Sequence, residues 1–167
     1  MNFPRGKLSQ AEFETIFGNM YLDSRNKKII NYVYNAIDKD RNGSIDFTEA
    51  VILMSVLQNG DLIQMLKLVF RMYDLNGNGK INEKEMSEII ESLYDVLSIP
   101  KKERRGKNSA SFQAKESIKR LDKNGDQQID INEFIEGFFQ NPNVTSSIIY
   151  FNHLAENLNY LNLIIFK

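Results

Sequence analysis

The chain has 167 residues, 42% of them hydrophobic and 26% charged, with a formal net charge of -1. That balance suits one globular domain or two small lobes and argues against a polycation built for nucleic acid. No cysteine is present, which excludes disulfide staples, thiolate zinc sites and cysteine nucleophiles. It fits a reducing compartment, so the expected location is cytoplasmic. No run of about 20 apolar residues occurs, so no transmembrane segment is expected. The opening Met1-Asn2-Phe3-Pro4-Arg5 has no apolar signal core and no glycine at position 2. It is expected to be unprocessed and to carry no N-myristoyl site.

In chain order, the dominant pattern is a repeat of helical stretch, polar loop and helical stretch. The loops begin at Asp38, Asp74 and Asp122, and the longer second interval holds the segment 98–109 with Pro100 and Gly106. That segment reads as an exposed linker. Its basic run, Lys101-Lys-Glu-Arg-Arg105-Gly-Lys107, reads as solvated rather than as a lipid contact.

Helical periodicity flanks every loop. Ile29, Ile30, Val33, Tyr34 and Ile37 precede the first, and Phe47, Ala50, Val51, Met54 and Leu57 follow it. Leu62, Met65, Leu66, Val69, Phe70 and Tyr73 precede the second, and Met86, Ile89, Ile90 and Leu93 follow it. Phe112, Ala114, Ile118 and Leu121 precede the third, and Ile131, Phe134, Ile135 and Phe138 follow it. These stripes are expected to form the core. Ile45, Ile81 and Ile129 share loop position 8, where a short strand pairing between neighbouring loops is expected.

Each loop matches the twelve-residue EF-hand pattern for calcium. Calcium is a hard cation that takes six to eight oxygens, supplied from loop positions 1, 3, 5, 7, 9 and 12. Position 7 contributes a backbone carbonyl, and a bidentate glutamate closes the shell at position 12. In the first loop the expected ligands are Asp38, Asp40, Asn42, Ser44 through its carbonyl, Asp46 and Glu49, with Gly43 at the turn. In the second they are Asp74, Asn76, Asn78, Lys80 through its carbonyl, Asn82 and Glu85, only two of which are carboxylates. In the third they are Asp122, Asn124, Asp126, Gln128 through its carbonyl, Asp130 and Glu133. Gln127 stands at position 6 of the third loop, where glycine is usual. A left-handed conformation costs a non-glycine residue roughly 1–2 kcal/mol, so this site is expected to be weakened. Charge count against the second loop, and Gln127 against the third, make the loop at Asp38 the expected strongest site.

Beyond the loops, the chain resembles the neuronal calcium sensor family. Phe3-Pro-Arg-Gly6-Lys-Leu8-Ser-Gln-Ala-Glu-Phe13 is similar to that family's degenerate first hand, with Phe3 where the family has cysteine. Lys67-Leu-Val-Phe70-Arg-Met-Tyr73-Asp74 is similar to the helix entering its third hand. Phe134-Ile-Glu136-Gly137 followed by Asn141-Pro142 is similar to the exit from its fourth. The resemblance covers residues 3–145. It implies an all-α fold of the EF-hand, calmodulin-like superfamily, with two lobes of paired helix-loop-helix units and short β pairings between loops. The implied lobes are 1–59 and 60–145, with 146–167 outside the family pattern as a tail whose loosely helical spacing suggests a helix over an apolar groove, a disordered tail being the alternative. The remnant hand would pair with the loop at Asp38, placing Leu8 opposite Ile45. On this reading the chain begins inside the remnant hand, without its first helix or the family's myristoyl glycine, so a calcium-myristoyl switch is not carried over.

The function implied is that of a calcium sensor that exposes an apolar groove to a protein target when calcium binds. Phe13, Phe17 and Phe47 are candidates for unusual accessibility, although core positions suit them better. A calcium buffer and a regulatory subunit resembling calcineurin B remain alternatives. An enzyme is not expected, because the one histidine, His153, lies in the tail and no catalytic constellation stands outside the loops.

Overall fold

The computed structural model describes residues 6–21 and 27–140, and backbone alone at 16–21, 54 and 57–59. The segment from 141 onward, including the suspected tail helix, and the side chain of Phe17 lie outside the described residues.

Strand β1 (Lys7–Ser9) leads directly into α1 (Gln10–Tyr21), and α2 (Lys27–Ile37) enters the loop at Asp38. Strand β2 (Ser44–Asp46) and α3 (Phe47–Asn59) leave that loop, and α4 (Leu62–Tyr73) enters the next. Strand β3 (Lys80–Ile81) and α5 (Glu83–Val96) follow, then a 3₁₀ turn (Gly106–Asn108) and α6 (Ala110–Leu121). Strand β4 (Ile129–Asp130) and α7 (Ile131–Gln140) close the described chain. The fold is all-α of the EF-hand type, and the only strands among the described residues are those that join loops in pairs.

Strand pairing follows the position-8 pattern. β1 and β2 are antiparallel with Leu8 opposite Ile45, and β3 and β4 are antiparallel with Ile81 opposite Ile129. All four residues are buried, which fixes the register because a slip of one residue would turn each of them outward.

The core is continuous across both loop pairs. Helix α2 turns Ile29, Ile30, Val33, Tyr34, Ala36 and Ile37 inward, and α4 contributes Leu66, Leu68, Val69, Phe70, Met72 and Tyr73. Phe70 meets Phe134 edge-on at 5.6 Å between ring centroids, and Phe13 meets Tyr34 edge-on at 5.4 Å. A buried aromatic of this kind contributes about 3–5 kcal/mol on truncation to alanine. Phe13 is therefore core, whereas Phe47 is 61% exposed.

The helix caps are local. Asp61 accepts from the Gln64 amide at 2.8 Å to start α4, and Ser109 accepts from Phe112 to start α6. The α3–α4 corner requires Gly60, since a Cβ there would lie 2.2 Å from the Val56 carbonyl oxygen.

Two expectations need correction. Phe47, Val51, Leu62 and Phe112 of the apolar stripes are exposed rather than core. On α3, Leu53 takes the inward face while Val51 and Ile52 are exposed, because apolar residues go further round this helix than one packed stripe can cover. The basic segment after α5 is not wholly solvated either. Arg104 turns inward, its side chain 7% exposed, and pairs with Glu91 at 2.7 Å and Asp95 at 2.6 Å. Its guanidinium also donates to the Ile99 carbonyl and lies over the Tyr94 ring.

Candidate metal centre

Each loop is built by its own side chains. The residues at positions 9 and 12 form a capping box at the start of the exiting helix. Asp46 accepts from the Glu49 amide at 2.8 Å, and Glu49 Oε2 accepts from the Asp46 amide at 3.1 Å. Asn82 with Glu85 and Asp130 with Glu133 repeat this reciprocal bonding. The second oxygen of each glutamate reaches back across its loop. Glu49 Oε1 accepts from Lys39 at 2.7 Å, Glu85 Oε1 from Asn76 at 3.1 Å and Glu133 Oε1 from Lys123 at 2.9 Å. Position 12 is thus oriented inward before any ion is considered.

The position-1 aspartates organise the turn. Asp38 accepts from Asn42 and Gly43, and Asp74 accepts from Asn78 and Gly79, through separate oxygens. Asp122 accepts from Gly125 and Gln127 instead. Residues at positions 3 and 5 each accept from the amide two residues on: Asp40, Asn76 and Asn124, then Asn42, Asn78 and Asp126. Of the position-7 residues, Ser44 and Lys80 open β2 and β3, and Gln128 directly precedes β4.

The donor set fits a hard divalent cation. Asp38, Asp74, Glu85 and Glu133 are buried carboxylates, which are costly without a compensating positive charge. Burial pushes the Asp38 carboxyl above its ordinary range, despite amide bonds from Gly43 and Asn42 that oppose the shift. At the first loop, carboxylate oxygens of Asp38, Asp40 and Glu49 all lie within 4.8 Å of one another. No other three acidic or histidine side chains converge so closely among the described residues. Asp46 stands outside that trio as the cap of α3.

Backbone conformation separates the loops. Gln127 adopts the left-handed conformation at φ 64°, as its position requires. Position 4 is a second left-handed position, one not foreseen from the twelve-residue pattern. Gly77 and Gly125 occupy it in the later loops, but the first loop places Arg41 there at φ 55°. Glycine at position 4 in two of three loops was the available signal.

Contacts between loops also went unread. The Lys80 ammonium lies 2.5 Å from Asp126 Oδ2, so position 7 of one loop engages position 5 of its partner. That hydrogen bond holds the Asp126 carboxyl below the ordinary range.

The remnant hand keeps this geometry without the acids. Gly6 is left-handed at φ 73°, Leu8 is paired, and Glu12 Oε2 accepts from the Ser9 amide at 2.8 Å. With Glu12 as position 12, positions 1, 3 and 5 fall on Met1, Phe3 and Arg5, none of which offers an acidic oxygen.

Comparison with known proteins agrees with this geometry. Residues 63–139 match the EF-hand domain pair family, and residues 35–49 match the single EF hand. The chain is 30% identical over 147 residues to recoverin of Homo sapiens, covering 84% of this chain and 72% of recoverin. The chain belongs to the recoverin-type family of neuronal calcium sensors. S-modulin of Aquarana catesbeiana is 28% identical over 149 residues, covering 88% of this chain and 74% of that protein. This recoverin relative is an EF-hand calcium-binding protein. No helix among its described residues is long and apolar enough to cross a membrane.

Proposed function

We propose that this recoverin relative is a cytoplasmic calcium sensor that regulates a protein partner through an apolar groove between α3, α4 and the start of α7. One observation carries the proposal: two calcium loops contribute to the groove's walls. Its volume is about 540 Å³, and Ile52, Val56, Phe70 and Ile131 supply its apolar lining. Lys39, at position 2 of the first loop, and Ile131, at position 10 of the third, both line it.

Movement of either loop therefore reshapes the groove. Glu49 is at once a proposed ligand and the capping-box partner of Asp46 at the start of α3, and α3 carries Ile52, Ser55 and Val56 into the groove. Lys39, Lys67 and Arg71 add positive charge to the lining. Burial pushes the Arg71 guanidinium below its ordinary pKa. An amphipathic helix with apolar anchors and acidic flanks suits this surface.

The same proposal assigns the ligands. Side chains at positions 1, 3, 5, 9 and 12 and the carbonyls of Ser44, Lys80 and Gln128 hold one ion per loop. Bound calcium supplies the positive charge that lets the loop carboxylates sit close together. The division into lobes at Gly60 belongs to this reading, as does a regulatory rather than catalytic role.

Binding of an apolar fluorescent dye, with calcium and with chelator, tests the groove. Calcium is expected to increase dye binding, and Ile52→Asp to abolish the increase while calcium still binds. Dye binding indifferent to calcium would remove the sensor function and leave a buffer.

A further inference from the structure

We propose that Arg41 couples the first two calcium loops, so that occupancy of one sets the affinity of the other. The inference rests on the assignment of the loops at Asp38 and Asp74 as ion sites.

Arg41 belongs to the first loop but spends its hydrogen bonds on the second. Its Nη1 donates to the Leu75 carbonyl at 3.0 Å, and its Nη2 donates to the Asp74 carbonyl at 2.8 Å. These carbonyls are at positions 1 and 2 of the second loop, and Asp74 is its first proposed ligand. The Asp74 carbonyl also accepts from the Gly77 amide, closing the turn that Arg41 grips.

Gly77, left-handed at φ 72°, also leaves room for the contact. A Cβ at that position would lie 2.3 Å from Arg41 Cζ, so the guanidinium occupies space that any other residue would fill. Gly77 and Arg41 stand at the same position of their loops, and the Arg41 side chain reaches from one left-handed turn to the other. Arg41 holds its left-handed conformation although glycine serves at that position in the other loops.

The first loop governs where Arg41 sits. The Arg41 amide donates to the Asp38 carbonyl, and the Asn42 amide beside it donates to Asp38 and Asp40. When the first loop tightens around calcium, the turn from Asp38 to Asn42 moves as a unit. The planar guanidinium, bonded in two places, carries that movement to Asp74. β1–β2 and β3–β4 join loops only within each pair. Arg41 adds a polar link from one pair to the other.

The test reads each loop separately in the full-length, ¹⁵N-labelled protein during calcium titration. The Gly43 amide reports the first loop and the Gly79 amide the second, since each donates to its own position-1 aspartate. Glu49→Gln is expected to remove the calcium response of Gly43 and to shift the Gly79 midpoint by about fivefold. In an Arg41→Met background, the same change is expected to move the Gly79 midpoint by no more than about twofold. Arg41→Lys keeps the charge without the two-pronged contact and is expected to behave like Arg41→Met. An equal shift with and without Arg41, no shift in either, or full coupling in Arg41→Lys would overturn the proposal. A Gly43 response that survives Glu49→Gln would instead overturn the ion-site assignment, and the coupling with it.

Discussion

The loops at Asp38 and Asp122 carry the same number of carboxylates among their expected ligand positions, yet the fold uses them differently. In the first, Asp38, Asp40 and Glu49 converge within 4.8 Å, and Asp38 is buried. In the third, Asp126 bonds Lys80 from the neighbouring loop, and Asp122 is only partly buried. Each loop also places one non-glycine residue in the left-handed region, Arg41 at position 4 or Gln127 at position 6. Equal formal charge thus does not mean equal availability to an ion. Beside burial, one difference between the two sites is the direction of a nearby cation: Arg41 points away toward backbone carbonyls, whereas Lys80 points at a proposed ligand.

The largest effect that sharpens this comparison is on stability. At calcium a hundredfold above a site's dissociation constant, one filled site stabilises the fold by about 2.7 kcal/mol. For a chain of this size that is a rise in Tm of about 5–10 °C. Thermal unfolding followed by circular dichroism in calcium and in chelator is expected to show this. At limiting calcium, Glu49→Gln should lose more of the gain than Glu133→Gln, and the reverse order would break the comparison.

Next in size is Gln127→Gly. Relief of about 1–2 kcal/mol of backbone strain should tighten the third loop by up to about tenfold, the full gain arising where the strain falls on the calcium-bound state alone. Calorimetric titration would show whether the third site moves alone. Smaller again is Lys80→Met, which frees Asp126 from an exposed ion pair. A gain of about threefold at the third loop is expected, in keeping with the modest energy of such pairs. An unchanged third site would mean that Lys80 yields to calcium at no cost.

The subtlest test uses Tyr34 beside the first loop. Its hydroxyl donates to the Leu8 carbonyl, and burial, then the charges of Asp38 and Glu49, push its pKa to about 12. Because the folded pKa lies above the unfolded value, stability is unaffected below about pH 10 and falls as pH rises toward 12. Ultraviolet titration compared with Tyr34→Phe should find this hydroxyl ionising late, and calcium should bring its pKa down by offsetting the two carboxylates. A pKa insensitive to calcium would separate Tyr34 from the site.

The sequence made the loops legible because an EF-hand carries its cage on contiguous residues. Capping boxes such as Asp46 with Glu49 are local, so spacing alone reveals them. The position-8 pairing was legible for a related reason, since Leu8, Ile45, Ile81 and Ile129 repeat one place in each unit. Arg41 on Asp74, Lys80 on Asp126 and Arg104 on Asp95 were not legible, because each depends on how separated segments meet. The exposure of Phe47 and Val51 was hidden as well. A helical stripe marks an apolar face without telling whether a neighbouring helix covers it.

Equilibrium dialysis of the intact protein and of Glu49→Gln against calcium tests the account most directly. Three bound ions are predicted for the intact chain, and the tightest of them should be missing from the variant. A chain that binds no calcium, or a variant that keeps the tightest site, would contradict it.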